Sequence, residues 1–265
     1  MFEYNPDEIT AKSGYNQSMR WRSAFLLACG LAILPRLAGA SLTPLSVTDE
    51  LFKKRQVPEF AESALSQYRI AFQENHTAET GWRLAMADYF VGLRLRTDED
   101  KKRVLFQEGI DVGRAALELK PDCAACHFWT AINMALYGQS VGPFKMLFSL
   151  NEIREHLKKS LELDPTYAYG GAYRLQGMIE WKLPGILGGS NDRAEANFKH
   201  AIETAPDEPL NYLFMARLLL NLGRGPEAKT WIDKGLAQPQ PAPDRVESAE
   251  AIGDLKALLA DKRLI

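Results

Sequence analysis

From residue 58 onward, apolar and small side chains recur three and four positions apart, the period of a helix with one face turned inward. The clearest stretch is Tyr212, Ala216, Leu219, Gly223, Ala228, Ile232 and Gly235, at successive spacings of 4, 3, 4, 5, 4 and 3. This predicts two packed helices with small residues at their crossing, because large side chains there would hold the axes beyond roughly 8–10 Å. The end of the pattern repeats. RIAFQEN (69–75), AALELKP (115–121), KSLELDP (159–165), HAIETAP (200–206) and KGLAQP (234–239) close five successive segments. Pro121, Pro165 and Pro206 stand 44 and 41 residues apart. A two-helix tetratricopeptide unit needs only about 34 residues. The excess fits insertions between the first and second helices of three units, near Leu95–Val104, Gln139–Ser149 and Pro184–Ser190.

The expected fold is therefore all-α, a tetratricopeptide-like solenoid of about four repeats with inter-helix insertions and a C-terminal capping helix. Helices are predicted near 49–56, 58–74, 78–96, 99–119, 122–138, 150–163, 167–182, 191–204, 208–222, 226–237 and 244–262. Thr77 with Thr80, Pro121-Asp122, Asn191-Asp192 and Pro226-Glu227 are start signals. Ala194, Ala201, Ala216 and Ala228 are expected at buried crossings. No long alternating strand pattern occurs. Residues 41–237 form the repeat domain. In 238–265, the stiff stretch Gln238-Pro-Gln-Pro-Ala-Pro243 leads into the helix expected to cap the open end of the stack.

The first 40 residues read differently. A polar leader precedes Met19-Arg20-Trp21-Arg22, the apolar run Ser23 to Leu34 and the small-x-small site Ala38-Gly39-Ala40. Together they resemble a secretory signal cleaved after Ala40. Leu26-Leu27-Ala28-Cys29 also resembles a lipobox, so lipid anchoring through Cys29 is the alternative. Either route implies export, and a periplasmic location is expected.

Charge narrows the function classes. Lys+Arg 32 against Asp+Glu 34 leaves a net charge of −2, without the basic excess of a phosphate-tracking nucleic-acid binder. No G-x-S-x-G, P-loop or paired catalytic carboxylate motif is present, so an enzyme reading has no residues to stand on. His76, His156 and His200 lack zinc-ligand spacing.

The loop Leu183-Pro-Gly-Ile-Leu-Gly-Gly-Ser190, the following Asn-Asp-Arg-Ala194, the stretch Phe128-Trp129-x-Ala131-x-Asn133, the helical repeats and the exported N-terminus resemble the TatT family, the T-component of TRAP transporters. That resemblance covers most of 50–237. It implies a non-enzymatic, often oligomeric periplasmic scaffold that docks a substrate-binding protein and shelters an apolar ligand in a cleft. It implies no catalytic residues and no cofactor. A general envelope interaction module is the second reading.

The third reading rests on Cys123-Ala-Ala-Cys126-His127. In an exported chain, C-x-x-C-H suits haem attachment through two thioethers and an axial His. A thioredoxin-like pair or a structural disulfide between Cys123 and Cys126 fits the same residues. For ligand or partner binding the candidates are first-helix aromatics and insertion residues. They are Trp82, Tyr89, Phe128, Trp129, Tyr137, Tyr173 and Trp181, then Phe144, Met146, Phe148, Ile186 and Leu187. Apolar side chains in solvent-facing turns are expected to cover something, either their own first helices or another molecule.

Overall fold

The computed structural model describes residues 43–264, apart from the side chains of 143–146. The expected signal, Cys29 and the cleavage site lie outside the described residues. The described residues form eleven α-helices: α1 Leu45–Phe52, α2 Pro58–Glu74, α3 Ala78–Arg94, α4 Glu99–Leu119, α5 Ala124–Val141, α6 Pro143–Leu163, α7 Tyr167–Lys182, α8 Asn191–Thr204, α9 Pro209–Asn221, α10 Gly225–Leu236 and α11 Val246–Leu258. Strands are absent from the described residues. Helices pair in order, and α11 follows the fifth pair. The all-α helical-repeat expectation is borne out.

Local chemistry accounts for most helix ends. Thr77 and Thr80 form a reciprocal capping box at α3. Asp98, Cys123, Ser190 and Glu208 each accept a backbone N–H in the first turn of α4, α5, α8 and α9. Prolines open α2, α6, α9 and α10, where the missing N–H costs nothing. The first helix runs from Leu45 to Phe52 rather than 49–56, because Lys53–Gln56 form a turn.

Two of the three insertions are not loops. They lengthen helices: α4 and α6 have 21 residues each, against 14 in α8 and 12 in α10. Between α5 and α6 only Gly142 is non-helical, with φ 104°, a conformation that glycine adopts without a Cβ clash. The third insertion is a loop, with a short 3₁₀ turn at Gly185–Leu187.

At the crossings, Ala194, Ala201, Ala216 and Ala228 are fully buried. A close approach of α4 and α5 carries glycine. A Cβ on Gly113 of α4 would lie 2.2 Å from Oγ1 of Thr130 on α5. A side chain there would push the two helices apart.

Among the described residues, Asp88, Asn133 and Arg245 each carry a buried polar atom without a hydrogen-bond partner, and only Asp88 has none on either oxygen. Asp88 on α3 is fully buried, and neither carboxylate oxygen has a hydrogen-bond partner. The nearest cation, Arg69, lies 3.8 Å away and is engaged bidentately by Glu108 at 2.6 Å. Burial, reinforced by the Glu108 charge, pushes the Asp88 carboxyl well above its ordinary range. Folding therefore favours the protonated form. The contribution of Asp88 is fully present below the carboxyl's unfolded pKa and is lost as pH rises through the raised folded value. Asp88→Asn is expected to stabilise the fold by about 1–2 kcal/mol above neutrality and to flatten its pH dependence. Urea unfolding across the acid-to-alkaline range checks this; an unaltered pH profile contradicts it.

The C-terminal helix does more than cap. Ala251, Ile252 and Leu255 are buried, and Ala251 and Leu255 pack with the α9–α10 core, as a cap requires. Val246, one turn earlier, joins the separate cluster of Phe52, Tyr68, Phe90 and Leu105 from the first repeats. The two ends of the repeat array thus meet through α11.

Candidate functional site

The first helices α3, α5, α7 and α9 contact one another in sequence, so their exposed faces form one continuous inner surface. On it, the rings of Tyr89 and Trp129 lie 5.3 Å apart, and buried Phe128 meets Trp129 edge-on at 4.9 Å. Trp129 Nε1 donates to the hydroxyl of Tyr167 at 2.7 Å. Enclosure by the helices pushes the Tyr89 hydroxyl up to about 12 and raises that of Tyr167 as well.

The other predicted aromatics are dispersed. Trp82 lies under the Arg83 guanidinium and donates to Glu79. Tyr137 borders a shallow depression beside Val104, Glu108 and Val112. Tyr173 faces His200, and Trp181 donates to Asn221 at 3.0 Å. Trp82 and Trp181 thus have their indole N–H groups satisfied within the helical array.

The insertion edge differs. Phe148 is 89% exposed and Ile186 94% exposed. Val104 is 65% exposed and stands seventeen residues before Pro121, as Phe148 stands before Pro165. Equivalent positions in stacked repeats fall along one edge. Leu187 turns inward onto the α5–α7 core. The side chains of Phe144 and Met146 lie outside the described residues.

Cys123 and Cys126 are joined in a disulfide at the start of α5, and both are buried. With the sulfurs bonded to each other, no thiol is left for a thioether in this arrangement. His127 is also engaged: Nδ1 lies 2.8 Å from Nδ1 of His156 and Nε2 2.9 Å from the Pro121 carbonyl. Burial holds both imidazoles below their ordinary pKa, and because Nε2 of His127 faces a carbonyl and must donate, its Nδ1 accepts from Nδ1–H of His156.

A polar cluster at the start of α7 had no counterpart among the predicted residues. Ala168, Tyr169 and Gly170 are left-handed, at φ 51°, 56° and 73°. Asn211 and Arg174 donate to the Tyr169 carbonyl at 3.2 and 3.3 Å. Turned outward by this hook, Tyr169 carries the Arg245 guanidinium 4.0 Å above its ring. Arg245 also pairs with Glu208 at 2.7 Å and Asp207 at 3.0 Å, while Ser248 donates to Glu208. The residues just before and within α11 are thereby fixed against the inner surface.

The comparisons with known proteins bear on this assembly. A family model described as regulator of microtubule dynamics protein 1-3 matches residues 45–181, just over half of the chain. The chain belongs to this family. A tetratricopeptide-repeat model matches residues 187–260. Regulator of microtubule dynamics protein 1 of Mus musculus is 35% identical over 38% of this chain and 33% of its own length. The chain thus spans about a third of that relative. Its Caenorhabditis elegans counterpart is 22% identical over 81% of this chain and 97% of its own length. A tetratricopeptide-repeat protein of Thermus thermophilus superposes with a TM-score of 0.58 at 22% identity, over 78% of this chain and 98% of that one, which shows the fold.

These findings correct two expectations. The tetratricopeptide superfamily stands, but the finer resemblance to TatT gives way to the regulator of microtubule dynamics family. The periplasmic location is overturned, because these curated relatives are eukaryotic and their cells have no periplasm. The error arose because a short apolar run behind arginines looks alike in many targeting contexts. Among the described residues, no helix is long and apolar enough to cross a membrane.

Proposed function

We propose that this chain is a non-enzymatic adaptor in the control of microtubule dynamics, docking a protein partner along the edge that carries Val104, Phe148 and Ile186. The observation behind this reading is the near-complete exposure of Phe148 and Ile186 at an insertion of the repeat array. Bulky apolar side chains held on ordered elements in water lower their free energy when a partner covers them. The relatives' name supplies the process, and the helical-repeat fold supplies the mode, protein–protein contact. In this reading residues 41–237 carry the docking edge and 238–265 close the array. The outer edge is preferred to the inner surface because α11 and Arg245 already cover part of the latter. No relative brings a transport role or a sheltered ligand to the chain.

Phe148→Asp with Ile186→Asp tests the proposal in a microtubule growth assay supplemented with cell extract. The wild-type chain should alter growth or catastrophe rates, and the double variant should not, with equal helical circular dichroism. Equal effects of both proteins refute the edge; no effect of either refutes the microtubule role.

A further inference from the structure

The acidic residues of α11 form a stripe. Glu247, Glu250 and Asp254 stand at i, i+3 and i+7, one face of a helix. Each meets an arginine from a different part of the array. Glu247 pairs with Arg55, in the turn after α1. Glu250 accepts from Arg94 at the end of α3, at 2.7 and 2.9 Å. Asp254 accepts from Arg217 on α9 at 2.9 Å. Arg94 lies 3.4 Å over the ring of Phe90, and Arg55 sits over both Phe52 and Phe90 at 5.0 and 5.2 Å. The aromatic faces hold the guanidinium groups only in part, through cation–π contact with Phe52 and Phe90. Val246 inserts into the cluster containing those same rings.

We propose that Arg55 and Arg94, over Phe52 and Phe90, form a docking face for an acidic helical segment of a partner protein, and that α11 occupies this face as an internal stand-in. The recognised pattern is the one α11 itself presents, an apolar residue followed by two carboxylates three apart, as in Val246-Glu247-x-x-Glu250. Charge complementarity argues for that occupant: both cations of the face are spent on carboxylates of one helix. The attachment is also divided. Ala251 and Leu255 fasten α11 to α9 and α10, Arg245 and Ser248 tie its start to Glu208, and its grip on the first repeats is Val246, two ion pairs and the Arg55 bond to the Asp244 carbonyl. Arg94 and Glu250 are 33% and 56% exposed, so water and salt reach this contact. A competing segment can therefore replace the first-repeat contact without dissolving the cap. This face is separate from the apolar edge, and either can fail without the other.

The probe is a fluorescent synthetic peptide with the sequence of residues 246–258, titrated against the full chain by anisotropy. Glu247→Ala with Glu250→Ala in the protein should raise its affinity for the peptide at least tenfold over wild type. Adding Arg55→Glu and Arg94→Glu, or raising the salt, should abolish that gain. A released variant that binds no better than wild type, or binding indifferent to the two arginines, overturns the proposal. If the released variant does not fold, the wild-type chain serves: excess peptide should speed amide exchange in the first turns of α11, and unchanged exchange overturns the proposal equally.

Discussion

Phe198→Ala is expected to cost about 3–5 kcal/mol, among the largest single losses available in this chain. Phe198 is fully buried where α7, α8 and α9 meet. Its ring lies nearly parallel to Phe214, at 6.1 Å between centroids. It also fills the space that Gly177 leaves open, since a Cβ on Gly177 would lie 2.6 Å from the ring. Truncation removes the transfer free energy of six ring carbons and leaves a cavity that helices held by neighbouring crossings cannot close. Chemical denaturation should show the midpoint falling with an unchanged slope. Gly177→Ala, which crowds the same ring from the other side, is expected to destabilise as well, by about 1–3 kcal/mol. A near-neutral Phe198→Ala would show that this crossing is not a packed core.

Asn211→Ala is expected to cost on the order of 3 kcal/mol and to loosen the start of α7 in particular. Asn211 is fully buried. Its side-chain oxygen accepts from Arg174 at 2.6 Å, and its amide donates to the carbonyls of Ala201 at 2.9 Å and Tyr169 at 3.2 Å. Two non-glycine residues, Ala168 and Tyr169, sit in the left-handed region, which costs roughly 1–2 kcal/mol each. The hook persists because these bonds outweigh that cost. Without Asn211, the Arg174 guanidinium loses its shortest acceptor and the Tyr169 carbonyl a donor. Tyr169 should then release Arg245, and hydrogen exchange at the start of α11 should rise. Ala168→Gly with Tyr169→Gly in the Asn211→Ala background should recover part of the stability, because glycine takes positive φ without a Cβ clash. A loss below about 0.5 kcal/mol with unchanged exchange would mean that the hook is held by something else.

Helix positions were legible because their signals are local. A proline or a capping side chain acts within one turn, so the bounds at α2 and α8 follow from neighbouring residues. Proline also misled. Pro143 falls inside a stretch that looks like a loop, yet it occupies the first turn of α6 and lengthens the helix. The candidate site was legible only in part. Exposed Phe148 and Ile186 stood out as apolar residues in expected turns, whereas the first-helix aromatics could be ligand contacts or packing, and their spacing is the same for both.

Residue spacing alone determined the all-α repeat architecture, the small residues at the crossings and the order of the helices, because helix pairs bury a periodic face against immediate neighbours in the chain. The closure was decided by tertiary structure alone. Arg55 and Glu247 are 192 residues apart, and Arg94 and Glu250 are 156 apart. Whether such residues meet depends on small rotations added at every repeat and on the left-handed start of α7, none of which a spacing of charges encodes. The acidic stripe of α11 was written in the sequence; that it faces arginines of the first repeats follows from the accumulated curvature of the whole array.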